Sequence, residues 1–349
     1  MNKVYILLLN WNGWKDTIEC LETVFRNDYP NYQVVVCDND SQDRSIERIK
    51  DWAEGRLNAE VPEKNSLRNL SFPSVNKPVP YVEYSREDAE AGRITTCIDA
   101  PLILIQTGEN LGFAGGNNVG LRYALARDDF DYVWLLNNDT VIKPNALTEM
   151  VKRMQEKTGA GICGSTLPYY YEPEKIWALG GATYNKWLAR PKCIGHDQPT
   201  NQAIDYKLIE HDIDYIAGAS MLVSRSFLKD IGLMNEEYFL YFEELDWAAR
   251  AWKKYSMVYA PNSFVYHKVG VSTKTLDKLG KSSISDKLAR RNCVLFTRKY
   301  FIWVLPTVLL GLLYKWLKSR FRVLKRFSRI KKEKSLPTIN DADSFKEEF

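Results

Sequence analysis

DYVWLLNND, Asp131 to Asp139, sets a four-residue apolar run, Val133–Leu136, between a polar lead-in and a polar stop. A run this short and this apolar predicts a buried strand. The strand delivers Asn137, Asn138 and Asp139 at its carboxyl end, and Pro144 marks the opening of the next helix. In an open α/β sheet, ligands collect where strands end. A carboxylate one residue after an amide is placed there to hold a divalent cation through oxygen. The same residues also suit an ordinary strand-to-helix turn, so the rest of the chain has to decide.

Upstream, Val4–Leu9 is a second apolar run, ending in Asn10-Trp11-Asn12-Gly13. Trp14–Arg26 then has helical spacing, with Ile18, Leu21, Val24 and Phe25 on one face. Gln33–Cys37 repeats the strand and ends in Asp38-Asn39-Asp40-Ser41; Asp43–Trp52 repeats the helix. Two βα units with short connections predict an α/β fold with a doubly wound, mostly parallel sheet and helices on both faces. The first turn lacks GxGxxG, which disfavours a dinucleotide dehydrogenase. Asp38, at a strand end, offers acceptors to a nucleobase or ribose. An Asx turn or helix cap is the other reading, and it fits Ser41 and Asp43 better than Asp38.

Residues 54–101 carry five prolines among many charges and only a weak strand at Val79–Tyr84. They read as a surface insertion, partly ordered at best. Leu102–Gln106 resumes the core. Asn110-Leu111-Gly112-Phe113-Ala114-Gly115-Gly116-Asn117-Asn118 follows, then helix through Val119–Ala126. Gly115 and Gly116 at a helix start offer N–H groups to an anion; a tight loop needing positive φ also explains the glycines.

In the second half, Gly159–Ser165 reads as a strand, and Trp177, Gly180 and Gly181 precede a hairpin through Tyr184–Ile194. Trp177 and Trp187 are candidates either to stack on a sugar or to fill a hairpin core. Asp214–Ala217 leads into Gly218-Ala219-Ser220-Met221, with a short helix over Ser224–Ile231. Glu243, Glu244 and Asp246 open a further helix, Glu244–Lys254. Acidic groups favour a helix start, yet three carboxylates in four residues exceed that need. At about 100° per residue, Glu243 and Asp246 share a face and Glu244 points aside.

The chain has 349 residues, 45% hydrophobic, the composition of a globular protein. Ten Lys or Arg against one Glu give Lys315–Lys334 a local charge of +9; the whole chain carries +4, so the remainder sums to about −5. Cys20, Cys37, Cys97, Cys163, Cys193 and Cys293 form no CxxC pair. They read as free thiols of a reducing compartment, not a zinc site. Met1-Asn2-Lys3 leads directly into a strand, without a signal-peptide pattern.

Six segments, DND at 38–40, NLGFAGGNN at 110–118, LLNND at 135–139, GASMLVSR at 218–225, FEELDW at 242–247 and VYHKVG at 265–270, carry a resemblance in register across roughly residues 3–300. Together they resemble a family 2 glycosyltransferase, with the rhamnosyltransferase-like branch as the nearest pattern. The resemblance implies a GT-A fold: a nucleotide-binding half over about 1–140 and an acceptor half over about 141–282. It implies inverting transfer of a sugar from a nucleotide-sugar donor, with dTDP-rhamnose first. UDP-hexoses, UDP-N-acetylhexosamines and UDP-galactofuranose stand as alternatives, as does a non-catalytic nucleotide-sugar-binding scaffold.

Carried onto this sequence, the resemblance makes Asp38 the partner of the base. Asn10, Asn12, Asp40, Asn110, Gly112, Phe113, Ala114, Gly115, Asn117, Asn118, Asn137, Asn138, Trp177, Gly218 and Ala219 become candidate substrate contacts. Asp139 and His267, one of three histidines, become ligands of Mg²⁺ or Mn²⁺. Asn137 departs from the aspartate often found at the first of these positions. By register the catalytic base is Glu244, where the family has Asp, with Glu243 and Asp246 as its neighbours in the catalytic group.

Tyr300–Tyr314 is a fifteen-residue stretch without charge, interrupted by Pro306 and Gly311. A simple spanning helix needs about 20 apolar residues, so this one is short. The basic segment behind it interleaves Phe321, Val323, Leu324, Phe327 and Ile330. That pattern suits an anionic membrane surface. The expected organisation is a catalytic domain over 1–282, C-terminal helices over 283–334 and a disordered tail over 335–349. The expected place of work is the cytoplasmic face of a membrane, with a saccharide or lipid-linked acceptor. Nothing beyond the basic tail supports a nucleic-acid partner.

Overall fold

The computed structural model describes residues 1–93, 100–269 and 282–318. The first half runs β1 (Val4–Asn10), α1 (Trp14–Val24), β2 (Tyr32–Asp38), α2 (Ser45–Ala53), α3 (Arg68–Ser71), β3 (Tyr81–Ser85), α4 (Arg86–Glu90), β4 (Leu102–Gln106), α5 (Gly112–Arg127) and β5 (Tyr132–Asn137). The second half begins with β6 (Thr140–Ile142), α6 (Ala146–Glu156), β7 (Ala160–Pro168), β8 (Ile176–Leu179), β9 (Gly181–Asn185) and β10 (Arg190–Cys193). It continues through α7 (Tyr206–Asp212), β11 (Tyr215–Ile216), β12 (Ser220–Ser224), α8 (Arg225–Ile231), α9 (Glu243–Ala251), β13 (Ser256–His267) and α10 (Ser282–Tyr300). A last helix, α11, covers 305–318.

One ten-stranded sheet, ordered β3-β4-β2-β1-β5-β12-β7-β13-β6 with β8 beside β7, crosses both halves. Its first five strands are mutually parallel. Successive side chains leave a strand on opposite faces. Ile6, Leu8, Val34, Val36, Trp134 and Leu136 therefore enter one core; Tyr5, Leu7, Val35, Cys37, Val133 and Leu135 enter the other, under α5. Both faces are covered, which is why these strands read as unbroken apolar runs. β12 is antiparallel to β5 and β7, and β10-β9-β11 form a separate small sheet.

Three expectations change. The 54–101 insertion is not merely a surface excursion: β3 pairs in parallel with β4 and completes the sheet edge. Buried Glu22 ties this segment down, accepting hydrogen bonds from Trp52 Nε1 and Val75 N at 2.7 Å each. Residues 94–99, with Cys97, lie outside the described residues. Second, Pro144 does not follow the Asn-Asn-Asp turn directly into helix; β6 comes first. Third, α10 belongs to the body of the fold. Its Phe296 is buried against Tyr238 and Leu245, so the expected boundary near 282 cuts through packed core. The 335–349 tail and most of the basic segment fall outside the described residues.

Candidate functional site

The carboxyl ends of β1, β2 and β5 open on one cleft of about 420 Å³. That is the size of a small-molecule site, about 300–1,000 Å³. Its wall includes Asn12, Asp16, Asn39, Asn110, Phe113 and Asp139. β5 ends at Asn137, whose N–H donates to Ala219 O at 3.0 Å, bringing β12 alongside. The next strand, β6, pairs with β13 so that Thr140 stands opposite His267. This register sets His267 Nε2 3.2 Å from Asp139 Oδ1.

Asp139 is 4% exposed and His267 7%. Asp139 Oδ1 and His267 Nδ1 make no hydrogen bond. Leaving a buried acceptor unsatisfied costs roughly 1–3 kcal/mol. Two ligands at about 2.1 Å and a right angle on a six-coordinate ion lie about 3 Å apart, close to the observed separation. The pair therefore fits a shared cation. Among the described residues, no group of three or more His, Cys, Asp or Glu converges. Such a cation would take its other ligands from water and substrate, as Mg²⁺ commonly does. The ring of Trp177 meets His267 edge to face at 4.8 Å. Trp177 thus holds the imidazole, and the role of sugar platform is not needed to explain it.

Lys268, the next residue, is 5% exposed. Its ammonium donates to Asp16 Oδ1 and Glu19 Oε2, both at 2.6 Å. Burial lowers the Lys268 pKa, but Glu19 and Asp16 outweigh it and hold the group above its usual value. Tyr170 OH donates to the other oxygen of Glu19 at 2.6 Å. Lys268→Met would strand a buried carboxylate, so unfolding free energy should fall by about 3–5 kcal/mol. Adding Glu19→Gln should restore part of the loss. Urea melts of both variants decide, and a change under about 1 kcal/mol in the single variant would contradict the network.

On α9, the three acidic residues separate. Asp246 is fully buried. It accepts hydrogen bonds from Lys299 Nζ at 2.7 Å, Tyr300 OH at 2.8 Å and Arg250 Nε at 2.9 Å. It clamps α10 to α9, which removes it from the catalytic group. Glu243 and Glu244 are left. Glu244 lies against Gly218, where any Cβ would collide with its Oε1; this close approach requires glycine. Burial pushes Glu244 up to about 6, held back by backbone N–H groups including that of Gly218. Burial and the charge of Glu244 push Glu243 well above the usual carboxylate range, and its Oε2 has no hydrogen-bond partner.

Burial thus favours the neutral form of Glu243, while Glu244, pushed up to about 6, ionises near neutrality, as a general base should. Transferase activity through this base should rise with pH to a plateau, with its midpoint near 6. Both folded-state pKa values lie above the ordinary 4.5. Their contribution to stability is thus full below about pH 4.5 and lost as pH rises through each folded value. A pH–rate profile flat from 5 to 8 would rule out this base.

The expected donor contacts divide. Asn12, Asn110, Gly112, Phe113, Asn137 and Asn138 line the cleft. Asp38 does not: its oxygens accept from Asn10 Nδ2 at 2.6 Å and from the hydroxyl and N–H of Ser41 at 2.7 and 3.0 Å. Burial raises its pKa against those hydrogen bonds. The turn reading, which fitted Asp38 less well than Ser41 and Asp43, is the observed arrangement, and its neighbour Asn39 lines the cleft. Asn10 is buried as the hub of this loop, also accepting from Thr17 Oγ1 at 2.8 Å. Asp40 is exposed outside the cleft wall.

Asn117 Nδ2 donates to Phe113 O, and Asn118 Nδ2 to Met234 O and Glu236 Oε1. Both asparagines tie α5 to its surroundings. α5 begins at Gly112, so Ala114, Gly115 and Gly116 lie inside it. A Cβ on Gly116 would reach 2.5 Å from Leu9. Gly116 lets α5 close on β1, and Gly115 clears Leu111, where a Cβ would come within 2.7 Å.

Sequence reasoning missed the loop at 238–242. Phe239 and Leu240 line the cleft, while Phe239, Tyr241 and Phe242 all have positive φ. Such backbone costs non-glycine residues about 1–2 kcal/mol each. Asn292 of α10, fully buried, offsets this. Its Nδ2 donates to Tyr238 O, Leu240 O and Tyr241 O at 2.6, 2.9 and 3.0 Å. A lone Asn in a helix gave no signal of that role. Lys268 had one, its place beside His267.

Strand ends that open on one cleft beside a cation-competent carboxylate–imidazole pair define an α/β protein with a ligand site at the carboxyl ends of its strands. Residues 5–66 and 85–232, more than half of the chain, match Glycosyl transferase family 2, and the chain belongs to that family. The low-salt glycan biosynthesis hexosyltransferase Agl10 of Haloferax volcanii is 26% identical over 167 residues, 44% of this chain and 48% of that protein. The match spans about half the length of that curated relative. Two solved structures are similar. GalNAc-T7, with UDP, GalNAc and Mn²⁺, gives a TM-score of 0.50 at 13% identity, over 76% of this chain and 44% of that one. The mannosyltransferase PcManGT of Pyrobaculum calidifontis, with GDP-Man and Mn²⁺, gives 0.48 at 15%, over 94% and 80%. The GalNAc-T7 likeness is one of fold.

Proposed function

We propose that the protein is an inverting glycosyltransferase that moves a sugar, first rhamnose from dTDP-rhamnose, to a saccharide or lipid-linked acceptor at the cytoplasmic face of a membrane. The observation that carries this reading is the facing of Asp139 Oδ1 and His267 Nε2 at 3.2 Å beside the strand-end cleft. Membership of the family and the hexosyltransferase relative support a hexosyl donor.

Glu244 takes the proton of the acceptor hydroxyl as its oxygen attacks the anomeric carbon. The bond to the diphosphate breaks on the opposite side, so configuration inverts in one displacement. Burial and the charge of Glu244 disfavour a second negative charge at Glu243. Asp139 and His267 would hold Mg²⁺ or Mn²⁺, which supplies positive charge for the departing diphosphate. Asn12, Asn39 and Asn110 offer hydrogen bonds to the nucleoside, and Trp11, also on the wall, offers a ring face.

A thermal-shift screen of dTDP-, UDP- and GDP-sugars with Mn²⁺ tests the reading, because a ligand of the folded state alone raises the melting temperature. dTDP-rhamnose should give the largest shift. A UDP-sugar in first place would replace the donor, and no shift with any nucleotide sugar would sink the proposal. Release of free nucleoside diphosphate then separates an enzyme from a non-catalytic scaffold.

A further inference from the structure

A surface helix normally turns a polar face to water. α11 does not. Val304, Val308 and Leu312, four residues apart, face the body of the protein, yet the opposite side presents Leu310, Leu313 and Tyr314, each more than half exposed. Between Leu305 and Tyr314 the sequence has no charge. No helix among the described residues is long and apolar enough to cross a membrane.

A second element reaches the same place from far away in sequence. The tip of the β9–β10 hairpin exposes Trp187 and Leu188, at 50% and 61%. The Trp187 ring meets that of Trp303 edge to face at 5.1 Å, and Ala189 packs on the Cys293, Val304 and Val308 cluster. Hairpin tip and α11 are therefore joined. Cations border the patch: Lys186 Nζ lies 5.3 Å from the Trp303 ring centroid, and Lys315 and Lys318 follow on α11. Eight more Lys or Arg lie between 319 and 334 in the sequence.

We propose that the hairpin tip and the outer face of α11 form one surface that seats, in plane, in the interface of an anionic lipid bilayer. Amphipathic indole suits that depth, and the bordering cations are drawn to an anionic surface. A second copy is the other occupant an apolar patch suggests. Here both patches would bring the same positive rim together, which opposes pairing. This inference deepens the membrane part of the proposed function and is independent of donor or chemistry.

The test is co-sedimentation of the full chain with vesicles of phosphatidylcholine, with and without phosphatidylglycerol, across salt. Binding should need the anionic lipid and weaken with salt. Trp187→Ala with Leu188→Ala should weaken it by roughly tenfold or more, from the apolar area withdrawn from lipid. Leu310→Glu with Leu313→Glu should do the same from α11. Both variants should keep the parental melting temperature without vesicles and any donor-induced shift, which separates this surface from the transferase reading. Parental vesicle binding by the hairpin variant would overturn the proposal. So would equal binding to neutral vesicles at every salt, or a dimer in solution that the hairpin variant dissolves.

Discussion

Asp139→Ala should abolish Mn²⁺-dependent donor binding and lower turnover by roughly 10³-fold. Metal assistance to a departing phosphate is worth several kcal/mol, and each 1.36 kcal/mol is tenfold in rate. Asp139 contributes an oxygen with no hydrogen bond of its own, 3.2 Å from an imidazole nitrogen. Its removal therefore breaks no hydrogen bond of that oxygen, and a melting temperature near the parent's separates loss of binding from unfolding. His267→Ala should weaken the same binding less, because the carboxylate carries the charge. Calorimetric titration of Mn²⁺ in the presence of nucleoside diphosphate checks both, and parental affinity in both variants would place the site elsewhere.

Glu244→Gln should leave donor binding intact and cut turnover by roughly 10²–10⁴, the worth of a general base. The amide keeps the shape that fits against Gly218 and removes the proton acceptor. Glu244→Asp should retain measurable activity, since a carboxylate one methylene shorter still has room beside Gly218. Glu243→Gln should cost far less, because burial and the charge of Glu244 disfavour an ionised Glu243. Asp246→Asn separates the two kinds of acidic residue in this helix. It should lower the melting temperature by loosening Lys299 and Tyr300, with kcat per folded molecule little changed. A silent Glu244→Gln beside a catalytically dead Glu243→Gln would move the base by one residue.

The sheet was legible because its strands are buried on both faces, so Val4–Leu9, Gln33–Cys37 and Val133–Leu136 read as unbroken apolar runs. Asp139, His267, Glu243 and Glu244 were legible through motif register, which places residues at strand ends and helix starts. Local sequence says less about which way a polar side chain turns. Asp38 turns to Asn10 and Ser41, Asn118 to Met234, and Asp246 to Lys299 and Tyr300. In the last case the partner lies 53 or 54 residues away, beyond any periodicity. The positive-φ backbone of Phe239–Phe242 escaped for the same reason. Bulky aromatics do not advertise such conformations, and the asparagine that holds them is on a separate helix.

We propose that the end of β5 is a cation-assisted nucleotide-sugar site. Crystals grown with MnCl₂ and a nucleoside diphosphate, measured at the manganese absorption edge, test it most directly. One anomalous peak is expected, in contact with Asp139 Oδ1, His267 Nε2 and diphosphate oxygens. A nucleotide bound in this cleft with the peak elsewhere, or with no peak while turnover persists in chelator, would contradict it.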